Sequence, residues 1–177
     1  MNPTAAAASR SSRRPRDMAL SLLVLLIPIA LLVGVYRVLH EGEKPVLVDA
    51  APVLAQARGA GDFPVAAPTG LADGWRTLTA RYAAGDGRAV LRVGYLTPDG
   101  DGVLLIESDR PADALLAEEL TAAARPLGAV AVAGRDWQRY AGRPGERALV
   151  LLEPERTLIV VGAAADDELA ELAASLR

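Results

Sequence analysis

The densest grouping of side chains able to hold a ligand is Arg135-Asp-Trp-Gln-Arg-Tyr-Ala-Gly-Arg143, with Arg147 beyond the next turn. On a strand alternate residues share a face, so Arg135, Trp137 and Arg139 point one way, Gln138 and Tyr140 the other. Guanidinium forks beside an indole suit anionic headgroups, sugars or the carboxylates of a partner. The same pattern arises on an edge strand whose Trp packs inward while its Arg residues pair with an acidic surface. Arg135, Trp137 and Arg139 are the candidate ligand-binding residues.

Acid–base chemistry has less to stand on. Most carboxylates fall in turns (Asp86, Asp99, Asp101, Glu153, Glu155) or in helix first turns (Asp113, Asp166, Asp167, Glu168), where capping and turn geometry account for them. An acidic pair of the kind that hydrolyses glycosides is the alternative chemistry, since spatial pairing is invisible in a sequence. Ser108, Thr157 and Ser175 lie in no G-x-S-x-G elbow and have no nearby histidine base. The single His40 stands just past a long apolar run and is expected to be an exposed interfacial side chain. Pro98-Asp-Gly-Asp-Gly102 reads as a hairpin turn, because a calcium loop needs other spacing and a closing Glu.

The chain has no Cys, which excludes disulfides, a thiol nucleophile and Cys-ligated metal. Neither a G-x-G-x-x-G nor a G-x-x-x-x-G-K-[ST] loop occurs. No catalytic residue, metal site or cofactor is expected, and the chain reads as non-enzymatic. With 19 Lys+Arg against 22 Asp+Glu in 177 residues, the net charge of −3 argues against nucleic acid as a partner.

Met18 to Tyr36 is a run of 19 residues without a charge. As a helix it is about 28 Å long, close to the roughly 30 Å hydrocarbon core of a bilayer. It is longer than the apolar core of a cleaved signal peptide, and no small-x-small site follows. Arg10, Arg13, Arg14 and Arg16 precede it, against Arg37 and Lys44 after it, which places the N-terminus in the cytoplasm. The chain is therefore expected in the cell membrane, single-pass, with its C-terminal domain extracytoplasmic.

Beyond the anchor the pattern predicts a helix over 49–58, a Pro/Gly-rich connector over 61–74, and strands over 75–82, 89–96 and 103–108. A helix over 111–124 follows, capped by Ser108 or Asp109, then strands over 129–133, 136–141, 147–152 and 157–162. The last helix is capped by Asp166 and carries Leu169, Leu172, Ala173 and Leu176 on one face. Hairpin turns between helices imply antiparallel pairing. The fold class is α+β: an N-terminal transmembrane helix followed by a mostly antiparallel α/β sandwich domain in the order α-βββ-α-ββββ-α. The division expected is a disordered basic cytoplasmic tail over 1–17, the membrane helix over 18–39, a juxtamembrane linker with a short helix over 40–74, and the extracytoplasmic domain over 75–177.

A series of landmarks runs through the chain in order: Arg16-Asp-Met-Ala-Leu-Ser-Leu-Leu-Val-Leu-Leu-Ile-Pro28, Val48-Asp-Ala-Ala-Pro52, Phe63-Pro-Val65, Gly70-Leu-Ala-Asp-Gly-Trp75, Leu91-Arg-Val-Gly-Tyr95, Gly134-Arg-Asp-Trp-Gln-Arg-Tyr140 and Leu158-Ile-Val-Val-Gly162. In this the sequence resembles the domain of unknown function 4245 family, single-pass membrane proteins of actinobacteria. The resemblance implies that topology and an envelope setting, and brings no activity, cofactor or site residue with it. The expected partners are the lipid bilayer and an envelope protein or anionic envelope component. The expected function is that of an anchored envelope binding or scaffolding module, the alternative being a small extracytoplasmic hydrolase using acidic residues.

Overall fold

The computed structural model describes residues 15–40, 47–121 and 124–177, with side chains within the first helix described over 22–35. The tail expected over 1–17 lies largely outside these residues, and so does the side chain of His40. The chain divides into two compact units, Met1–Lys44 and Pro45–Arg177.

The first unit is the helix α1, Pro15–His40, with Pro28 in its interior. Its described side chains are all exposed, among them Leu22, Leu25, Ile29 and Leu32. Among the described residues no helix is long and apolar enough to cross a membrane.

The second unit runs α2 (Ala51–Ala60), β1 (Arg76–Gly85), β2 (Arg88–Leu96), β3 (Gly102–Ser108), α3 (Ala112–Glu119), β4 (Pro126–Val132), β5 (Arg135–Ala141), β6 (Arg147–Leu152), β7 (Thr157–Gly162) and α4 (Asp166–Ser175). This is the α-βββ-α-ββββ-α order. All seven strands form one antiparallel sheet, ordered β1-β2-β3-β7-β6-β5-β4. Two meanders, β1 to β3 and β4 to β7, meet where β3 pairs with β7 (Leu105 opposite Val160), and α3 carries the chain from one to the other. The tight turns are local chemistry. Asp86 and Gly87 both have positive φ between β1 and β2, as do Ala133 and Gly134 between β4 and β5. Such turns match the twist of the flanking strands.

Each sheet face has its own core. On one, Leu91, Val93, Leu105, Trp137, Leu149, Leu158 and Val160 pack against Leu169, Leu172 and Ala173 of α4 and against Ala57 of α2. On the other, Val90, Ile106, Val150, Ile159 and Val161 are covered by Leu115, Leu116 and Leu120. The central strands β3 and β7 are buried on both sides, which is why they read as unbroken apolar runs.

Several expectations are corrected. The segment read as a linker is part of the packed unit: Phe63 and Ala66 are buried in the first core, and Ala67 and Arg177 exchange backbone hydrogen bonds of 3.0 and 3.3 Å. Helix α3 ends at Glu119, where Leu120 turns out of helical geometry (φ −100°, ψ −88°) to bury its side chain. Neither Ser108 nor Asp109 caps it; its N-cap position is Pro111. Ser108 Oγ instead donates to the Ala89 carbonyl (2.6 Å), and Asp109 Oδ1 accepts from the Ala89 N–H (2.7 Å). The N-cap of α4 is Ala165, with Asp166 one position inside the helix. Strand β5 is not an edge, since β4 lies outside it.

Candidate binding groove

At the β4 end of the sheet a groove of about 370 Å³ opens between β4, β5, β6 and the start of α4. Its apolar lining comes from Leu127, Val130, Leu149, Leu169 and Ala170, and its charged lining from Arg139, Arg147, Glu146 and Asp166. Strand alternation places the arginines. Arg139 lies opposite Leu149 and Ala141 opposite Arg147 across the β5–β6 ladder, so both guanidiniums rise from the face that carries Leu149.

The acidic groups of the rim are partly committed. Glu146 Oε2 accepts the Arg143 N–H at 3.2 Å, closing its own turn. Asp166 lies 3.5 Å from Arg147 Nε with both side chains more than half exposed, an arrangement worth little in water. Arg147 also donates to the Ala164 carbonyl at 3.0 Å and keeps donors to spare. Arg139 is exposed and makes no ion pair or hydrogen bond among the described residues. The apolar floor, the free Arg139 guanidinium and the spare donors of Arg147 together fit a ligand with an apolar part and an anionic part.

Of the three candidate residues the structure brings only Arg139 to this groove. Trp137 is fully buried among core side chains, leaving its Nε1–H without a partner. Arg135 stacks on the Trp137 ring, 5.5 Å from its centroid, and donates to the Ala173 and Leu176 carbonyls at 3.0 Å each. That closes the C-terminal end of α4, where orphan carbonyls and the negative end of the helix dipole favour a cation. Trp137 packs inward as the alternative had it, whereas Arg135 meets backbone carbonyls and not an acidic surface.

Glu107 was not singled out by the sequence, yet it is the most perturbed carboxyl described. It is fully buried in β3, with Oε2 accepting from the Ala66 N–H (3.0 Å) and Arg156 Nη1 (2.8 Å). Arg156, itself largely buried, also donates to Glu153 Oε2 (2.7 Å) and to the Pro64 carbonyl. Burial pushes the Glu107 carboxyl up to about 7, against the opposing pull of the Ala66 N–H and the Arg156 charge, while Glu153 adds to the rise. Tyr95 is pushed up as well, first by burial and then by Glu107. The one available signal was a lone acid within the apolar run Val103-Leu-Leu-Ile-Glu107.

The other candidates resolve locally. Thr97 and Asp101 close the Pro98–Gly102 turn, the Asp101 N–H donating to Thr97 Oγ1 at 3.1 Å and the Thr97 N–H to the Asp101 carbonyl at 2.9 Å. Among the described residues no group of three or more metal-ligating side chains is assembled.

A family model described as "Protein of unknown function (DUF4245)" matches residues 10–176, nearly the whole chain. No curated protein matches it.

Proposed function

The chain belongs to the DUF4245 family, and from that premise we propose that it is a membrane-anchored, extracytoplasmic binding module that holds an envelope component in the groove between β4–β6 and α4. Anchoring is supported by the uncharged stretch from Met18 to Tyr36 and by the arginine excess before it. The observation that carries the binding role is the groove itself, with Arg139 and Arg147 over Leu127, Val130 and Leu169. A photo-crosslinking residue placed at Leu127 in full-length protein, irradiated in native membranes, is expected to trap a discrete adduct that Arg139→Glu with Arg147→Glu removes. A probe at Arg81, exposed on β1, is the control. Equal labelling at both positions, or none at Leu127, overturns the reading.

A second reading, carboxylate hydrolysis, is favoured by one observation, the raised pKa of Glu107. Against it, Glu107 is fully buried and its Oε2 is held by Ala66 and Arg156, an arrangement that fits a structural tie better than a general acid.

A further inference from the structure

We propose that β4 is a docking edge to which an extended, acidic peptide segment of an envelope partner adds as a further strand; this rests on the groove reading and names its occupant. The sheet has two edges, β1 and β4. The β1 edge is managed: the Val48 N–H donates to the Thr77 carbonyl at 3.0 Å, α2 packs alongside, and Arg76 and Arg81 place charge on the strand. The β4 edge is blunted only at its start, by Pro126 and the register shift between Pro126 and Gly128, with α4 touching it; from Gly128 on it carries neither charge nor an outer backbone partner among the described residues. Pro126-Leu-Gly-Ala-Val-Ala-Val132 is free of charge, five of its seven residues are plainly exposed at 126–129 and 131, and Leu127 is 70% exposed. Among the described residues β5 is its only strand partner.

Charge and register select the occupant. Arg139 lies opposite Gly128 in the β4–β5 ladder, and a Cβ built on Gly128 meets nothing within 4 Å. At that rung, therefore, no edge-strand side chain stands between the guanidinium and a strand laid beside it. Of the five Arg over 125–147, Arg135 is tied to the end of α4 and Arg147 faces Asp166, which leaves Arg125, Arg139 and Arg143 exposed and without an ion pair among the described residues, within a region (46–177) whose 13 Arg and 19 Asp+Glu sum to −6. A second copy pairing edge to edge would bring two such basic rims together; an acidic strand would meet them with opposite charge. Backbone ladder bonds would supply affinity, Leu127 and Val130 would take an apolar side chain, and Arg139 with Arg147 a carboxylate.

The test uses full-length protein in detergent micelles and a fluorescein-labelled heptapeptide of alternating Glu and Val, acetylated and amidated. Saturable binding is expected, weakened about tenfold or more when Lys replaces Glu or when alternate peptide nitrogens are methylated. Amide exchange over 126–132 should slow in the complex, and Arg139→Glu with Arg147→Glu should reverse the preference to the Lys peptide. Equal binding of the methylated peptide, or unchanged exchange in β4, overturns strand addition while leaving the groove reading intact. So does failure of the peptide to bind where the Leu127 crosslink still forms. Protection of β4 without peptide, in a species of twice the protomer mass, assigns the edge to a second copy and also overturns the proposal.

Discussion

Glu107 sets a pH dependence of stability that can be worked out from its surroundings. Its carboxyl is raised from 4.5 to about 7, chiefly by burial. The folded state thus holds a proton that the unfolded chain has released between those values, and stability falls as pH rises through the interval. The contribution is fully present below about pH 4.5 and gone above about pH 7. A displacement of that size is worth about 3 kcal/mol in all, and about 2 kcal/mol of it falls between roughly pH 5.5 and 8. Because Glu107 is fully buried, solvent screening does not reduce the figure. The assay is urea unfolding of the full chain in detergent, followed by fluorescence of the two tryptophans, Trp75 and Trp137, at several pH values. Glu107→Gln keeps the shape and removes the titration, so wild type minus variant should lose about 2 kcal/mol across that range. A flat difference, or one that grows with pH, refutes the reasoning.

Arg156→Met leaves a buried carboxylate without its cation and should destabilise by about 3–5 kcal/mol at pH 8, and by clearly less near pH 5.5, where Glu107 is protonated; the same unfolding curves read it. At Gly162 a Cβ would strike the Gly102 carbonyl oxygen and lie 3.0 Å from Val103 Cα, backbone that cannot swing aside. Gly162→Ala should therefore cost about 3 kcal/mol or more, seen as a lower denaturation midpoint, by disturbing the β3–β7 junction. Arg135→Ala should cost about 1–2 kcal/mol through the exposed end of α4 and the lost contact with Trp137, and Lys should not restore it. By contrast Arg139→Ala, at an exposed position, should change stability by no more than about 0.5 kcal/mol.

Much of the fold was legible because its signals are local. The ends of β6 and β7 coincide with the expected strands, where Arg143-Pro-Gly-Glu146 and Glu153-Pro-Glu-Arg156 mark the turns. Periodicity placed Leu169, Leu172 and Ala173 on the buried face of α4. Boundaries slipped where tertiary packing overrode local pattern. Helix α3 stops early to bury Leu120, and β4 begins at Pro126 because a register shift between Pro126 and Gly128 lets the ladder extend further back. Phe63 and Ala66 read as connector because a segment without repeating hydrogen bonds has no period to betray its burial.

The site was less legible, for a related reason. An Arg-Trp-Arg face shows which side chains share a direction but not what lies over them. Arg135 meets carbonyls 38 and 41 residues away, and Glu107 meets Ala66 and Arg156 at separations of 41 and 49. The groove likewise needs α4 laid over β6, a contact between segments that no spacing rule connects.

In the proposed reading the uncharged stretch from Met18 to Tyr36 holds the chain in the bilayer and residues 45–177 lie on the far side of the membrane. Protease too large to cross the bilayer, added to intact protoplasts expressing full-length protein tagged at each end, tests this most directly. The C-terminal tag and the 45–177 region should be digested, while a short fragment bearing the N-terminal tag stays protected and sediments with the membrane. Protection of the C-terminal tag until the protoplasts are lysed, or recovery of the protein in the soluble fraction, would contradict it.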